Sequence, residues 1–173
     1  MALPLRGLRG EGSMAEAARQ KARSLRDFLL GDHARLEELF GAVLDEFREG
    51  DRDEVRRTWA RFEEGLLRHF GAEERYLLPL YDKAEPGEAA RLLSEHAAFR
   101  RTLEELGVGV DLRVVNLDVA QAFIDRLRAH ARREDHLLYR WAEREVAPPG
   151  QRAVTRDLGA AQDDPDPPPD PDW

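Results

Sequence analysis

Apolar residues recur at alternating steps of three and four over four long stretches, roughly 15–49, 53–82, 87–106 and 117–146. That spacing predicts four amphipathic helices, because on a 3.6-residue period it keeps side chains on one face. The first stripe is Leu29, His33, Leu36, Phe40, Val43 and Phe47, and the second is Phe62, Leu66, His69, Glu73, Tyr76 and Leu80. The third is Leu92, His96, Phe99, Leu103 and Leu106, and the fourth is Phe123, Leu127, His130, Glu134, Leu137 and Trp141. Gly50-Asp51, Glu85-Pro86-Gly87 and the stretch from Gly107 to Asn116 punctuate them. Helices on such short connections pack most simply as an all-α, up-down-up-down four-helix bundle, here assigned to residues 14–146. Residues 1–13 are expected to form a flexible N-terminal extension, and Met14, where the helical pattern opens, is a second candidate start of translation. Residues 147–173, through Pro148-Pro149-Gly150 to DDPDPPPDPDW, are expected to be a disordered Pro/Asp-rich tail, because they carry too little apolar surface to fold.

Six ionisable residues interrupt these stripes. A buried carboxylate is costly unless paired or metal-bound. Yet Glu73 and Glu134 sit on core faces, each four residues after a histidine, His69 and His130. On a helix that spacing points both side chains the same way, so nitrogen and oxygen converge. Height along the bundle gives a second test. From a turn centred near 51, His33 and His69 each lie about 18 residues away; from one near 112, His96 and His130 lie about 16 and 18 away. Across the middle turn the mismatch is about 4.5 Å at 1.5 Å per residue. All six groups therefore fit one layer.

The chain also repeats itself: LLRHFGAEERYLLPLY matches RLRAHARREDHLLYRWA at an offset of 61, and His33-Ala34 matches His96-Ala97 at an offset of 63. Two helix pairs so related would set two equivalent half-sites face to face, and a binuclear metal centre is the natural product. A polar network with no metal would have to accommodate two buried acids with no cation. His136, about 240° round the helix from His130, reads as a surface residue. Asp135 is an alternative to Glu134 but points off the stripe, and Tyr76 and Trp141 read as core.

Composition narrows the chemistry. With no cysteine, thiolate and iron–sulfur sites are excluded, so a metal is held by nitrogen and oxygen. The 173 residues suit one domain, and 42% hydrophobic with 36% charged suits a soluble helical protein. Five of the net −8 charges are the aspartates between Asp163 and Asp172, leaving a balance near −3 that favours neither nucleic acid nor membrane as a partner. No signal peptide is evident, and a cytoplasmic location is expected.

The order His33, His69-x-x-x-Glu73, His96, His130-x-x-x-Glu134 resembles the hemerythrin-like, HHE cation-binding domains over about residues 25–145. The resemblance implies two non-haem irons, oxo- or hydroxo-bridged, with His33 and His69 on one, His96 and His130 on the other, and Glu73 and Glu134 between them. It implies a small diatomic or peroxide ligand and a role in oxidative, nitrosative or iron stress. Arg100 stands where the oxygen carriers have a fifth histidine, which argues against reversible oxygen storage and leaves more open metal positions. Alternatives are a di-iron enzyme that breaks down peroxide or reduces nitric oxide, and an iron store or sensor.

Overall fold

A computed structural model of the chain describes residues 24–49, 52–112, 114–115 and 117–159, and those residues form helices with no strand. We label them α1 (Leu25–Glu49), α2 (Arg52–Ala72), a π turn (Glu73–Leu77), α3 (Leu78–Tyr81), α4 (Pro86–Leu112), α5 (Leu117–His136), α6 (Leu138–Glu145) and α7 (Pro148–Gly159). The stripes explain the packing. α1 packs on α2, α2 on α4, α4 on α5, and α5 back on α1, so the four long helices close a ring. No helix among the described residues is long and apolar enough to cross a membrane.

The core divides into two apolar clusters. Leu36, Phe40, Phe62, Leu66, Phe70, Phe99, Leu103 and Phe123 belong to one; Leu29, Leu77, Leu78, Tyr81, Leu92, Leu138 and Tyr139 belong to the other. Five of the six polar stripe residues, His69, Glu73, His96, His130 and Glu134, are buried, and His33 is nearly so.

Two departures from simple periodicity matter for the site. After Glu73 the predicted core residues were Tyr76 and Leu80, but Leu80 is 40% exposed, and Leu77, Leu78 and Tyr81 are buried instead. After Glu134 the predicted pair was Leu137 and Trp141, but Leu137 is 42% exposed, and Leu138, Tyr139 and Ala142 take its place. Both stripes slip by about one residue just beyond the glutamate. In the first case the helix widens into the π turn, closed by the Leu78 amide donating to the Glu73 carbonyl. Pro79, which has no amide to donate and would clash with the preceding turn, then falls in the first turn of α3, where it is tolerated. In the second the helix breaks at Leu137 (φ −112°, ψ −70°), close to the values of Leu77 (φ −105°, ψ −53°). No proline accounts for this break.

Two further boundaries are corrected. α4 runs to Leu112 through Gly107 and Gly109, where the sequence pattern predicts a connection. Each glycine costs a helix about 1 kcal/mol against alanine, but Leu106 and Val110 continue the buried stripe and offset it. At Gly107 a Cβ would make ordinary contact with the Trp59 indole nitrogen, 3.4 Å away. The supposedly disordered tail from 147 instead opens with α7, whose Val154 and Leu158 are buried. Proline at a helix start is favourable rather than disruptive, and two apolar residues four apart suffice to dock the helix on α1, α2 and the π turn. Residues 1–13 and the DDPDPPPDPDW segment lie outside the described residues, as does the predicted start of the first helix at 15.

Candidate metal centre

Each glutamate follows its histidine by one helical turn, and the ring of helices brings the two His/Glu pairs together with His33 and His96. The Nε2 atoms of His33 and His69 lie 3.1 Å apart, and those of His96 and His130 also lie 3.1 Å apart. Between these pairs sit the carboxylates. Glu134 presents Oε1 to His130 at 2.9 Å and to His96 at 3.4 Å, and Oε2 to His33 at 3.4 Å. Glu73 presents Oε1 to His69 at 3.5 Å and Oε2 to His96 at 3.5 Å. Each acid thus offers one oxygen to each histidine pair.

The far nitrogen of every histidine is anchored. His33 Nδ1 donates to Asp135 at 3.0 Å, His69 Nδ1 to Asp32 at 2.8 Å, His96 Nδ1 to Glu74 at 3.0 Å and His130 Nδ1 to Glu95 at 2.7 Å. A proton held at Nδ1 leaves the Nε2 lone pair of a neutral imidazole free, and a carboxylate partner of this kind is the usual support of a metal-bound histidine. The acids follow the sequence repeat. Asp32 and Glu95 each precede a histidine, and Glu74 and Asp135 each follow a central glutamate. Arginines complete the shell: Arg35 on Asp32, Arg91 and Arg133 on Glu95, and Arg100 on Glu74.

Electrostatics tests whether a cation belongs here. Burial pushes the Glu73 carboxyl well above its usual range, reinforced by the charge of Glu134. Burial acts likewise on Glu134, but His130 and the hydrogen bonds of His33 and His96 outweigh it and hold that carboxyl well below the usual range. Burial opposes charge on His33 too, yet hydrogen bonds to Asp135 and Glu134 raise its pKa to about 9. Glu73 and His33 thus hold a proton more tightly than usual and Glu134 less tightly. Glu73 Oε2 and Glu134 Oε2 are buried with no donor, a loss of about 1–3 kcal/mol or more for each group. A cation would satisfy both. Neighbouring donors at right angles on one ion, about 2.1 Å from it, lie about 3.0 Å apart, close to the spacings here. The residues fit a metal: the donors of Glu73, His96, His130 and Glu134 lie within 4.8 Å of one another, as do those of His33, His69 and Glu134.

All six residues predicted from the sequence meet in this layer. Asp135 does not lie between the histidine pairs but orients His33. Exposed His136 stays outside. Arg100 is forked onto Glu74, with contacts of 2.7 and 3.0 Å, and lies over the Phe70 ring. Sequence reasoning missed Asp32, Glu74 and Glu95 as histidine partners, although their repeated places beside the site residues were a usable signal. It also missed Tyr139. This fully buried phenol donates to Glu73 Oε1 at 2.7 Å, and its oxygen lies 2.8 Å from His33 Nε2 and 3.2 Å from His69 Nε2. Burial, with the charges of Glu73 and Glu134, pushes its pKa well above the usual phenol value. On an unbroken helix a residue five beyond Glu134 points about 140° away; the break at Leu137 turns it back.

A cavity of about 60 Å³ adjoins the layer, lined by Leu36, Phe40, Leu66 and Ile124 and bordered by His33, His69, His130 and Glu134. Liquid water occupies about 30 Å³ per molecule, so a diatomic molecule fits. Arg128 and Glu37, which also line it, form an ion pair.

The family profile described as hemerythrin HHE cation binding domain matches residues 24–147, a span that contains all six residues of the layer. No curated protein and no solved structure matches the chain.

Proposed function

The chain belongs to the hemerythrin HHE cation-binding family, and from that premise we propose that it is a non-haem di-iron protein that binds or responds to a small oxidant. The observation that carries this reading is the two-sided presentation of the acids: Glu73 turns one oxygen to His69 and the other to His96, and Glu134 turns one to His33 and the other to His96 and His130. One metal would need only one such face. Imidazole and carboxylate without thiolate suit iron, and the ring of four helices suits an up-down-up-down bundle.

When bound, the irons supply redox chemistry toward oxygen, nitric oxide or peroxide. The protein's part is to hold the six donors, anchor each imidazole through its Nδ1 proton, and offer an apolar cavity in which a small uncharged ligand is favoured over ions. Position 100 contributes no donor, because the Arg100 guanidinium cannot ligate a metal and is held by Glu74. We therefore take the centre as one that responds or reacts, in iron, oxidative or nitrosative stress in the cytoplasm, and not as an oxygen store.

Metal analysis and the absorption spectrum of protein purified from iron-supplemented cells test the reading. About two irons per chain with bridged ferric absorption are expected; one zinc and no iron would exclude it. The reduced protein should oxidise rapidly when mixed with air-saturated buffer and should not recover when oxygen is removed. Full recovery would make it an oxygen carrier.

A further inference from the structure

The two histidine pairs obey one repeat, but one chemically potent group breaks it. An offset of 61 carries His69 to His130, Glu73 to Glu134 and Glu74 to Asp135. It also carries Leu77 to Leu138, Leu78 to Tyr139 and Tyr81 to Ala142, three buried positions at or just beyond each helix interruption. Where one half of the molecule buries the Leu78 side chain, the other half places a phenol against the donor cluster.

We propose that Tyr139 is a ligand of the metal held by His33 and His69, binding through its phenolate oxygen. The inference rests on the di-iron reading above and extends it to a donor outside the six.

The geometry is that of a donor and not only of a neighbour. The Tyr139 oxygen lies 2.8 Å from His33 Nε2, 3.2 Å from His69 Nε2 and 2.7 Å from Glu73 Oε1. The two imidazole nitrogens are themselves 3.1 Å apart. Three atoms at mutual distances near 3 Å form one face of a coordination polyhedron with arms of about 2.1 Å. A phenol that served only to hold Glu73 would need one contact, to a carboxylate oxygen. This one also stands level with the Nε2 atoms of two imidazoles that face the same point. The ring is fully buried and lies 5.1 Å from the His33 ring, centre to centre, so packing fixes its aim.

Binding is ligation coupled to the loss of one proton, with no change of oxidation state. The O–H bond of Tyr139 breaks, its proton passes to solvent, and the oxygen lone pair forms the metal bond. A bound cation reverses the electrostatic preference that otherwise keeps a buried phenol protonated. The two metal positions then differ: histidine pair plus phenolate on one side, histidine pair alone on the other.

The test is the visible absorption and resonance Raman spectrum of the full-length protein loaded with ferric iron, with iron content measured on the same sample. A phenolate-to-iron charge-transfer band is expected, with enhanced tyrosine ring modes. Tyr139→Phe should abolish both, while Tyr76→Phe and Tyr81→Phe keep them. Two irons per chain with no such band in the wild type would overturn the ligation and leave the di-iron reading standing; persistence of the band in Tyr139→Phe would do the same. Failure to bind iron at all would overturn both.

Discussion

The half of the site built on His33 and His69 and the half built on His96 and His130 use the same parts and finish them differently. In both, a pair of imidazoles faces inward and each outer nitrogen is tied to a carboxylate. The second pair is walled by aromatics: Phe70 stacks on His96 with ring centres 4.1 Å apart, and Phe99 lies 5.1 Å from His130. Its two supporting acids are both clamped by arginine, Glu74 by Arg100 and Glu95 by Arg91 and Arg133. The first pair is finished by Tyr139, and partly exposed His33 and buried His69 both border the apolar cavity, which of the second pair only His130 reaches. The difference teaches where function resides in a repeated fold. The repeat sets which residues can hold a metal, and the positions that break it set what a metal in either half would meet.

The sharpest way to break this comparison is to remove what the halves share. Glu73→Ala or Glu134→Ala should reduce metal content from about two ions per chain to almost none, because each acid serves both histidine pairs. Elemental analysis of the purified variants decides it, and retention of one ion would show that the halves are independent. Single histidine losses come next. His130→Ala leaves its half with one imidazole and carboxylate oxygens, whereas His69→Ala leaves an imidazole, carboxylates and the phenol. Removing even an outer partner lowers metal affinity by roughly 10–100-fold, so both should lose more than that, His130→Ala the more. Competition with a coloured chelator measures the order, and equal losses would remove Tyr139 from the comparison.

Supporting acids should show a smaller contrast of the opposite hand. Asp32 is wholly buried between His69 and Arg35, while the Glu95 side chain is 26% exposed. Water can replace part of what Glu95 does but little of what Asp32 does. Asp32→Asn is expected to weaken metal binding by roughly 10–100-fold and Glu95→Gln by less, read in the same chelator titration.

The layer of six was legible because burial of an acid has few explanations and because helix spacing converts sequence distance into direction. What escaped was whatever depended on the helices ceasing to be regular. A stripe extrapolated past Glu73 or Glu134 selects Tyr76 and Trp141, which do pack against the core, but also Leu80 and Leu137, which are exposed, since periodicity assumes a constant 100° per residue. Interruptions at Glu73–Leu77 and Leu137 reset that phase, and with it the identity of the nearest tyrosine. Pro79 was a visible warning in the first case; the second has none. The Pro148–Gly159 helix was hidden for a different reason, because tail composition was averaged over acidic residues that follow it. The anchoring acids lie beside the histidines or glutamates of the layer in sequence but serve histidines of other helices, a relation only the assembled layer reveals.

Arg100 offers the smallest and most discriminating change. It occupies the repeat position of Glu37, at an offset of 63, so it is a second place where the halves diverge. Burial works to raise the Glu74 carboxyl, but hydrogen bonds from Arg100 and His96 together hold it below the usual range. Both partners of the ion pair are partly solvated, with side chains 32% and 28% exposed, which limits its worth to about 0–1 kcal/mol. Arg100→Met should therefore keep both metals and weaken the one beside His96 by no more than about fivefold, because Glu74 still accepts the His96 proton. Arg100→His separates charge from ligation. If an imidazole at this place reaches the neighbouring iron, the reduced protein should oxidise in air more slowly than Arg100→Met, as stopped-flow absorption will show. Equal rates in the two variants would mean that position 100 acts only through Glu74, and that the contrast between the halves rests on Tyr139.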